Sequence, residues 1–344
     1  MNLRQFTSYF LIFLSLFSSC EEDDDTNFSF PLRDRNEVYE EDLAEIEAFL
    51  QTHTYNYEEF DFNNPYTTPS NDSFKIEFDT IIEGVNDDKD PLIERDELKI
   101  KIVEDLGIDY KLYYLDVREG LGDEINFCDE ASVVYRGSLT TGDVFDSAVN
   151  PTKFNLISVG TTPGVVKGFQ QGLIEFKTST GFTENGDGTD SYHNHGIGAV
   201  FIPSGLGYFE VTLGNAVPSY TPIIFDFNLY ERTVLDHDND GIPSFMEDLN
   251  HNEDVYDDDT DSNSIANFID DDDDGDGYLT AIELEYGEYL VLNGDPEPTF
   301  DPEVELETSR EELTNGNIII YTVILLDSND DGIPDYLDKN TIPE

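Results

Sequence analysis

The sequence predicts an α+β fold in which an antiparallel sheet packs on one short helix. Residues 110–232 contain short apolar runs separated by glycine-containing turns, as expected for strands. One helical pattern interrupts them, and its apolar positions are Val166, Phe169, Leu173 and Phe176. The last run, residues 223–230, alternates so that every second side chain is apolar. That apolar face needs a cover, and the helix is available to supply it.

The preceding region, residues 36–118, carries one amphipathic helix and further strands. Apolar residues recur at helical spacing between residues 37 and 51, and Asn36 is placed to cap the start of this helix. The segments Phe74–Phe78 and Leu98–Val103 alternate as strands do. No residue pattern in this region indicates chemistry, so we predict that it serves packing or docking.

Residues 1–20 have the layout of a secretory signal, with an apolar run from Tyr9 to Phe17 and small residues before Cys20. This segment resembles a bacterial lipoprotein signal, in which Cys20 becomes the lipidated N-terminus. A cleaved signal without lipid is the alternative. The apolar run is too short for a permanent membrane span. The resemblance implies a cell-envelope protein, an outer-membrane lipoprotein that is periplasmic or surface-exposed and is attached to the membrane through its lipid.

Acidic residues dominate the composition. The 77 Asp and Glu against 17 Lys and Arg give a formal net charge of −60, which argues against nucleic acid as a partner. Residues 21–35 begin with five acids, and such runs resemble the surface-export tags of some lipoproteins; a solvated tether is the alternative. Residues 233–344 contain 34 acids and two basic residues, so a domain boundary is expected near residue 232. If Cys20 is lipidated, Cys128 has no disulfide partner.

Three sequence blocks between residues 133 and 230 indicate a function. They are Val133–Gly137 followed by Thr141–Ser147, then Gly164–Leu173, and finally Ile202–Tyr208 with Val217–Ser219 and Ile224–Phe227. In this order they resemble the signature blocks of the FKBP-type peptidyl-prolyl isomerases. The resemblance covers residues 119–232 and implies an FKBP-like antiparallel sheet wrapped on a short helix.

The resemblance also implies the residues of an isomerase site. The catalytic positions would be Tyr135, Phe145, Asp146, Val166, Phe169, Tyr208 and Phe225, with Phe154 and Val165 as further substrate-binding positions. Phe169 would lie under the proline ring of a proline-containing polypeptide, and Tyr208 OH and Val166 N–H would donate to its carbonyls. No cofactor would take part in catalysis. Pattern alone would make these aromatics ordinary sheet core, but their order and spacing favour the site.

This sequence departs from the family pattern at several places. They are Phe169 in place of Trp, Phe209 in place of Gly, Val217-Pro218-Ser219 in place of Ile-Pro-Pro, and the extra segment Thr178–Gly198. The rival hypothesis is therefore a catalytically weak binding module on a calcium-dependent surface adhesion or scaffold protein. Within the extra segment, His193 and His195 could hold a transition metal on one strand face. No third ligand is evident nearby, so a polar loop is the better interpretation.

Beyond residue 232, aspartates recur at the spacing of EF-hand-type calcium loops, with glycine at position 6. The expected ligands are Asp236, Asp238, Asp240 and Glu247, then Asp272, Asp274, Asp276 and Glu283, and then Asp327, Asn329, Asp331 and Asp338. These loops resemble thrombospondin type 3 or dockerin-like repeats, which implies structural calcium across residues 233–344. A solvated acidic tail is the alternative. Between the loops, the apolar run Ile318–Leu326 predicts a buried strand.

Overall fold

The structure is a computed structural model that describes residues 32–301 and 304–341. Contacts divide the chain into two units, Met1–Arg33 and Asp34–Glu344, and the second contains every helix and strand of the described residues. The predicted signal peptide, the lipidation site Cys20 and most of the acidic tether lie outside the described residues. Within the ranges described, no helix is both long and apolar enough to cross a membrane.

The described residues are mostly β-structure with two α-helices. The helices are α1 (Arg35–Thr52) and α2 (Lys167–Leu173). The strands are β1 (His53–Tyr55), β2 (Phe78–Thr80), β3 (Leu98–Asp105), β4 (Ile108–Arg118), β5 (Glu130–Leu139), β6 (Val144–Asn155), β7 (Phe182–Glu184), β8 (Asp190–Tyr192), β9 (Gly196–Ile202), β10 (Ile223–Thr233), β11 (Leu284–Val291), β12 (Glu305–Glu312) and β13 (Ile318–Leu325).

Six strands form one antiparallel sheet in the order β3-β4-β9-β10-β5-β6. As the alternation predicts, Ile223, Phe225, Phe227 and Leu229 of β10 share one core with α2. Ile224 belongs to the core on the opposite face, together with α1. The sheet is therefore covered by a helix on each face. Because β3 and β4 belong to it, the boundary expected after residue 118 falls inside one sheet.

Helix α2 lies unusually close to β9. A Cβ built on Gly172 would overlap the side chain of Val200, and one built on Gly168 would overlap that of Ile202. The two glycines are four residues apart, so they lie on the same face of the helix. The absence of side chains on this face lets α2 approach the sheet and sets the depth at which its other side chains lie.

Helix α1 begins earlier than expected, and the prediction of Asn36 as its cap is wrong. The carboxylate of Asp34 accepts the N–H groups of Asn36 at 2.9 Å and Glu37 at 3.1 Å. Aspartate is a strong N-cap because its side chain replaces the missing intrahelical acceptor. The face of α1 that carries Ile46, Phe49 and Leu50 is buried against the sheet, as the helical spacing predicts.

The expected strand Phe74–Phe78 is only partly a strand, since β2 starts at Phe78. Phe74 and Ile76 are buried, so the alternation is real. Their backbone carbonyls, however, accept hydrogen bonds from side chains of the large sheet, Asn228 Nδ2 at 3.2 Å and Arg136 Nη2 at 2.8 Å. These bonds take the place of a strand ladder.

The C-terminal region contains a second antiparallel sheet in the order β11-β13-β12. Its central strand β13 lies within the apolar run Ile318–Leu326, which confirms the predicted strand. The region docks on the large sheet's domain through a small core in which Val255 and Phe268 pack with Phe127, Cys128 and Ile157.

Candidate functional site

An apolar cavity of about 220 Å³ opens between α2 and the large sheet. Its lining residues are Tyr135, Asp146, Phe154, Pro163, Gly164, Val165, Val166, Phe169, Tyr208 and Phe225. Eight of the nine site positions expected from the sequence are therefore together in one cavity. The ninth, Phe145, is not a lining residue, and its half-buried ring packs edge-on against Phe225 at a centroid distance of 5.6 Å.

Aromatic rings form the floor and walls of this cavity. Phe169, on the buried face of α2, is 4% exposed and lies 4.7 Å from the ring of Phe225 on β10. Tyr135 on β5 contacts Phe154 of β6 edge-on at 5.4 Å and Phe225 at 6.0 Å. Each of these four rings is held by at least one other ring, which leaves these side chains little freedom to rearrange.

One carboxylate stands at the rim of the cavity. Asp146 on β6 accepts a hydrogen bond from Tyr135 OH at 2.8 Å through Oδ2, and from the Ser147 N–H at 2.8 Å through Oδ1. Burial raises the pKa of Tyr135, and the hydrogen bond and charge of Asp146 raise it further. Tyr135 therefore remains a neutral donor at physiological pH and fixes the orientation of the carboxylate.

Two possible donors face the cavity from other segments. Val166 has extended backbone directly before the first residue of α2, so its N–H is not used by the hydrogen bonds of the helix. Tyr208 is half-buried, and burial followed by the nearby charge of Asp146 raises its pKa. Its hydroxyl therefore keeps its proton at neutral pH.

Phe209 stands where the resembled family has glycine, and its backbone adopts a conformation that favours glycine. Its φ is +45°, in the left-handed region that disfavours large side chains. The ring is 6% exposed and is covered by the guanidinium of Arg35, 4.0 Å from the ring centroid, and by the ring of Tyr220 at 5.0 Å. This packing compensates the strain and anchors the residue that follows Tyr208.

Pro163 and Gly164 line the cavity but were not among the expected site residues. Only glycine fits at position 164, because a Cβ there would overlap the backbone of Ile157. Its N–H donates to Ser158 Oγ at 2.9 Å. Ser158 in turn exchanges two backbone hydrogen bonds with the hydroxyl of Tyr256, at 2.6 and 2.9 Å. The cavity wall is thus connected to the acidic C-terminal region, which short motifs cannot reveal.

The extra segment Thr178–Gly198 forms a hairpin of β7 and β8 rather than a metal site. His195 is fully buried, and its Nε2 lies 2.8 Å from Asn228 Nδ2; burial and the charge of Arg118 lower its pKa to about 3. His193 instead contacts Asp72 at 3.2 Å. The histidines therefore serve separate polar contacts, and His195 belongs to the core rather than to a polar loop.

The three aspartate loops share one backbone arrangement. The glycine N–H donates to the first aspartate in each loop, in the pairs Gly241 with Asp236 at 3.1 Å, Gly277 with Asp272 at 3.1 Å and Gly332 with Asp327 at 2.9 Å. All three glycines have positive φ, between +88° and +108°, so each makes the bend that its position requires. A 3₁₀ turn rather than an α-helix follows each loop.

Carboxylate oxygens gather in three groups among the described residues, and within a group one oxygen of each residue lies within 4.8 Å of one oxygen of every other member. The groups are Asp236 with Asp238 and Asp240, Asp272 with Asp274 and Asp276, and Asp240 with Glu247 and Asp273. Asp273 was not expected from the sequence, because it occupies position 2 of its loop. The remaining expected ligands, Glu283, Asp327, Asn329, Asp331 and Asp338, belong to none of these groups.

Several carboxyl groups of the aspartate loops have strongly raised pKa values. Burial raises the pKa of Glu247 to about 11, and the charges of Asp240 and Asp273 add to this effect. Burial likewise raises the pKa of Asp273 to about 9 and that of Asp240 to about 7. Burial and then Asp274 and the other nearby acids raise the pKa of Glu283 to about 8. Such groups can be ionised together only when positive charge is supplied.

A model of the family described as BamM C-terminal matches residues 237–309. No curated protein matches the chain. One similar solved structure is a peptidyl-prolyl cis-trans isomerase of Pseudomonas syringae pv. tomato, with 21% identity over 41% of this chain and 84% of that chain and a TM-score of 0.30. FkpA of Escherichia coli is 23% identical over 41% of this chain and 53% of that chain, with a TM-score of 0.30. The three FKBP domains of wheat FKBP73 are 17% identical over 40% of this chain and 51% of that chain, with a TM-score of 0.29. This chain spans about half the length of the latter two. At these low TM-scores the likeness to FKBP-type isomerases is coarse.

Proposed function

We propose that this chain is a peptidyl-prolyl cis-trans isomerase that assists the folding of exported or surface proteins. The observation that carries the proposal is the apolar cavity of about 220 Å³, which has aromatic walls and one oriented carboxylate, Asp146, at its rim. A proline ring is small and apolar, and it suits a cavity of this size and lining.

The chemistry of the reaction explains why such a cavity would be sufficient. Rotation about an X-Pro amide crosses a barrier of roughly 18–20 kcal/mol and transfers no proton. The planar amide is stabilised by resonance and is more dipolar than the twisted amide. An apolar surrounding with few fixed donors therefore disfavours the planar ground state relative to the twisted transition state.

Individual residues can then be given roles. Phe169 would support the proline ring from below, and Phe225 and Phe154 would enclose it. Tyr208 OH and Val166 N–H would donate to the carbonyls on either side of the proline. Asp146, held by Tyr135, would lie beside the rotating amide, where its negative charge interacts with the changing amide dipole.

The test is a protease-coupled isomerisation assay of the full chain on an X-Pro peptide. We expect Phe169→Ala to lower kcat/KM at least tenfold, because it removes the floor of the cavity. Phe182→Ala is the matched control, since Phe182 is exposed on β7 and does not line the cavity. Tyr208→Phe and Asp146→Ala should each lower kcat/KM with less effect on folding.

The competing function is a binding module with weak catalysis, on a surface adhesion or scaffold protein. The observation in its favour is Phe169, a smaller ring than the tryptophan of the resembled family. If the folded wild-type chain binds a proline peptide but gives no rate above background, this function replaces the isomerase. If it neither binds nor isomerises, both are refuted.

We further propose that the C-terminal loops bind calcium as a structural ion. The support is the loop geometry, with a positive-φ glycine and gathered carboxylates. The match of residues 237–309 to the BamM C-terminal family supports a place at the outer membrane or cell envelope. An N-terminal lipid on Cys20 would provide the attachment. Small-angle scattering should show compaction on adding millimolar calcium, and an unchanged radius would refute the structural ion.

A further inference from the structure

Glu247 is buried in a way that ordinary protein packing does not explain. Its side chain is 1% exposed, and neither carboxylate oxygen has a hydrogen-bond partner among the described residues. Burying a carboxylate is unfavourable unless it is paired, protonated or bound to a metal. Glu247 is therefore protonated unless a cation from outside the chain completes its surroundings.

Two more buried carboxylates point into the same space. Asp240 is 2% exposed and Asp273 is 1% exposed. Each uses one oxygen within its own loop, since Asp240 Oδ1 accepts from the Ile242 N–H at 2.8 Å and Asp273 Oδ2 accepts from Thr280 Oγ1 at 3.2 Å. The other oxygens, Asp240 Oδ2 and Asp273 Oδ1, have no partner among the described residues. The loops thus hold these side chains in place and leave one oxygen of each unused.

The spacing of these oxygens fits one hard cation. One oxygen from each of Asp240, Glu247 and Asp273 lies within 4.8 Å of the other two. Calcium binds six to eight oxygens at about 2.3–2.6 Å, so oxygens on opposite sides of one ion are about 5 Å apart. Three oxygens this close can therefore share a single ion, with both oxygens of Glu247 available for bidentate binding.

The chain itself supplies little positive charge to this region. Beyond residue 232 the only basic side chains other than histidine are Arg310 and Lys339. Arg310 is engaged in ion pairs with Glu297 and Glu307. The neighbouring His237 is engaged with Ser244, whose Oγ lies 2.7 Å from its Nδ1. A cation from solution is the remaining way to neutralise the ionised cluster.

We propose that Asp240, Glu247 and Asp273 bind one divalent cation of the calcium class that fastens the first aspartate loop to the second. This site is separate from the ion proposed within Asp236, Asp238 and Asp240, and Asp240 is shared by both ions. Position 2 of an EF-hand-type loop supplies no ligand to its own ion, so Asp273 is free to serve the preceding loop. The inference rests on the calcium binding proposed above.

Calorimetric titration of the chelator-stripped full chain with CaCl₂ tests this site. Asp273→Asn should reduce the calcium stoichiometry by one. Asp271→Asn is the matched control, because it removes the same charge from an exposed residue directly before that loop, and it should leave the stoichiometry unchanged. If the two variants bind calcium alike, the inter-loop site is refuted while calcium binding stands. If the wild type binds none, calcium binding itself is refuted.

Hydrogen exchange distinguishes an ion that links the two loops from the mere loss of one negative charge. Calcium should protect the backbone amides of the first loop in the wild type, and this protection should be lost in Asp273→Asn although the substituted residue lies in the second loop. Glu247→Gln should lose the same equivalent of calcium and provides a second variant if Asp273→Asn does not fold. Full protection of the first loop in Asp273→Asn would contradict the proposed fastening.

Discussion

Replacing Gly172 by alanine tests whether the close approach of α2 to β9 is required. In an isolated helix this change would stabilise by about 1 kcal/mol, because alanine has the higher helix propensity. In this protein the new Cβ would overlap the side chain of Val200, which is fully buried in an inner strand of the sheet. Overpacking of this kind costs about 3 kcal/mol. We therefore expect a net loss of about 2 kcal/mol.

The double variant with Val200→Ala makes the reasoning quantitative. Val200→Ala alone should cost about 2 kcal/mol, since it deletes two buried methyl groups. In the double variant the methyl of Ala at position 172 fills part of that space without overlap and keeps its propensity gain, so the total cost should be about 1 kcal/mol. The singles sum to about 4 kcal/mol, which gives a coupling energy of about −3 kcal/mol.

Equilibrium urea unfolding at fixed calcium concentration measures these values. Far-UV circular dichroism is the suitable signal because the chain contains no Trp. Gly186→Ala is the control, since a Cβ at Gly186 meets nothing within 4 Å, and its effect should stay within about 0.5 kcal/mol. A stabilising Gly172→Ala, or a double variant whose cost equals the sum of the singles, would refute the tight helix–sheet contact.

Three further predictions concern buried polar groups. Burial raises the pKa of Asp42 to about 6, so the folded state binds a proton that the unfolded state releases. The free energy of unfolding should therefore fall by up to roughly 3 kcal/mol as pH rises from 4 to 7. In urea titrations Asp42→Asn should flatten this pH dependence, and an unchanged dependence would show that another group causes it. Asp72→Ala should lower the free energy of unfolding by about 3–5 kcal/mol, because Asp72 pairs at 2.9 Å with the buried guanidinium of Arg118. Asp90→Ala, which removes an exposed partner of Arg95, should lower it by less than about 1 kcal/mol. Equal losses in the two variants would contradict this reasoning. In a variant without the N-terminal cysteine, Cys128 should resist alkylation until EDTA is added, because it is buried against the acidic region. An alkylation rate that is the same with and without EDTA would show that calcium does not hold this contact.

The large sheet and its helix could be predicted because their periodicities are undisturbed. The alternation in β10 specifies which residues face α2, and the glycine spacing in α2 marks its contact face. The cavity residues could be expected only through ordered motifs, because aromatic residues in a sheet otherwise suggest core. Phe145 shows the limit of this approach, since it matches the motif but contacts Phe225 without lining the cavity.

Other features of the fold and of the aspartate loops depend on contacts between segments far apart in the sequence. The spacing of residues within one segment cannot predict such contacts. The carbonyls of Phe74 and Ile76 are taken by side chains of the large sheet, so an alternating segment does not become a strand. Asp273 looks like one more acid in a run of five, and only the folded chain brings it to Glu247. In both cases tertiary contacts override what the local sequence indicates.

The order of strands in the large sheet has a consequence for how the chain matures. Strand β4 is synthesised early, yet it pairs with β9, and β9 pairs in turn with β10. The β3–β4 hairpin therefore has no neighbouring edge until residue 202 has emerged, and contacts of such long sequence separation form slowly. During that interval β4 presents an open edge whose unpaired backbone groups can pair with another chain. The chain is therefore exposed to misassembly until its own last strands of this sheet have formed.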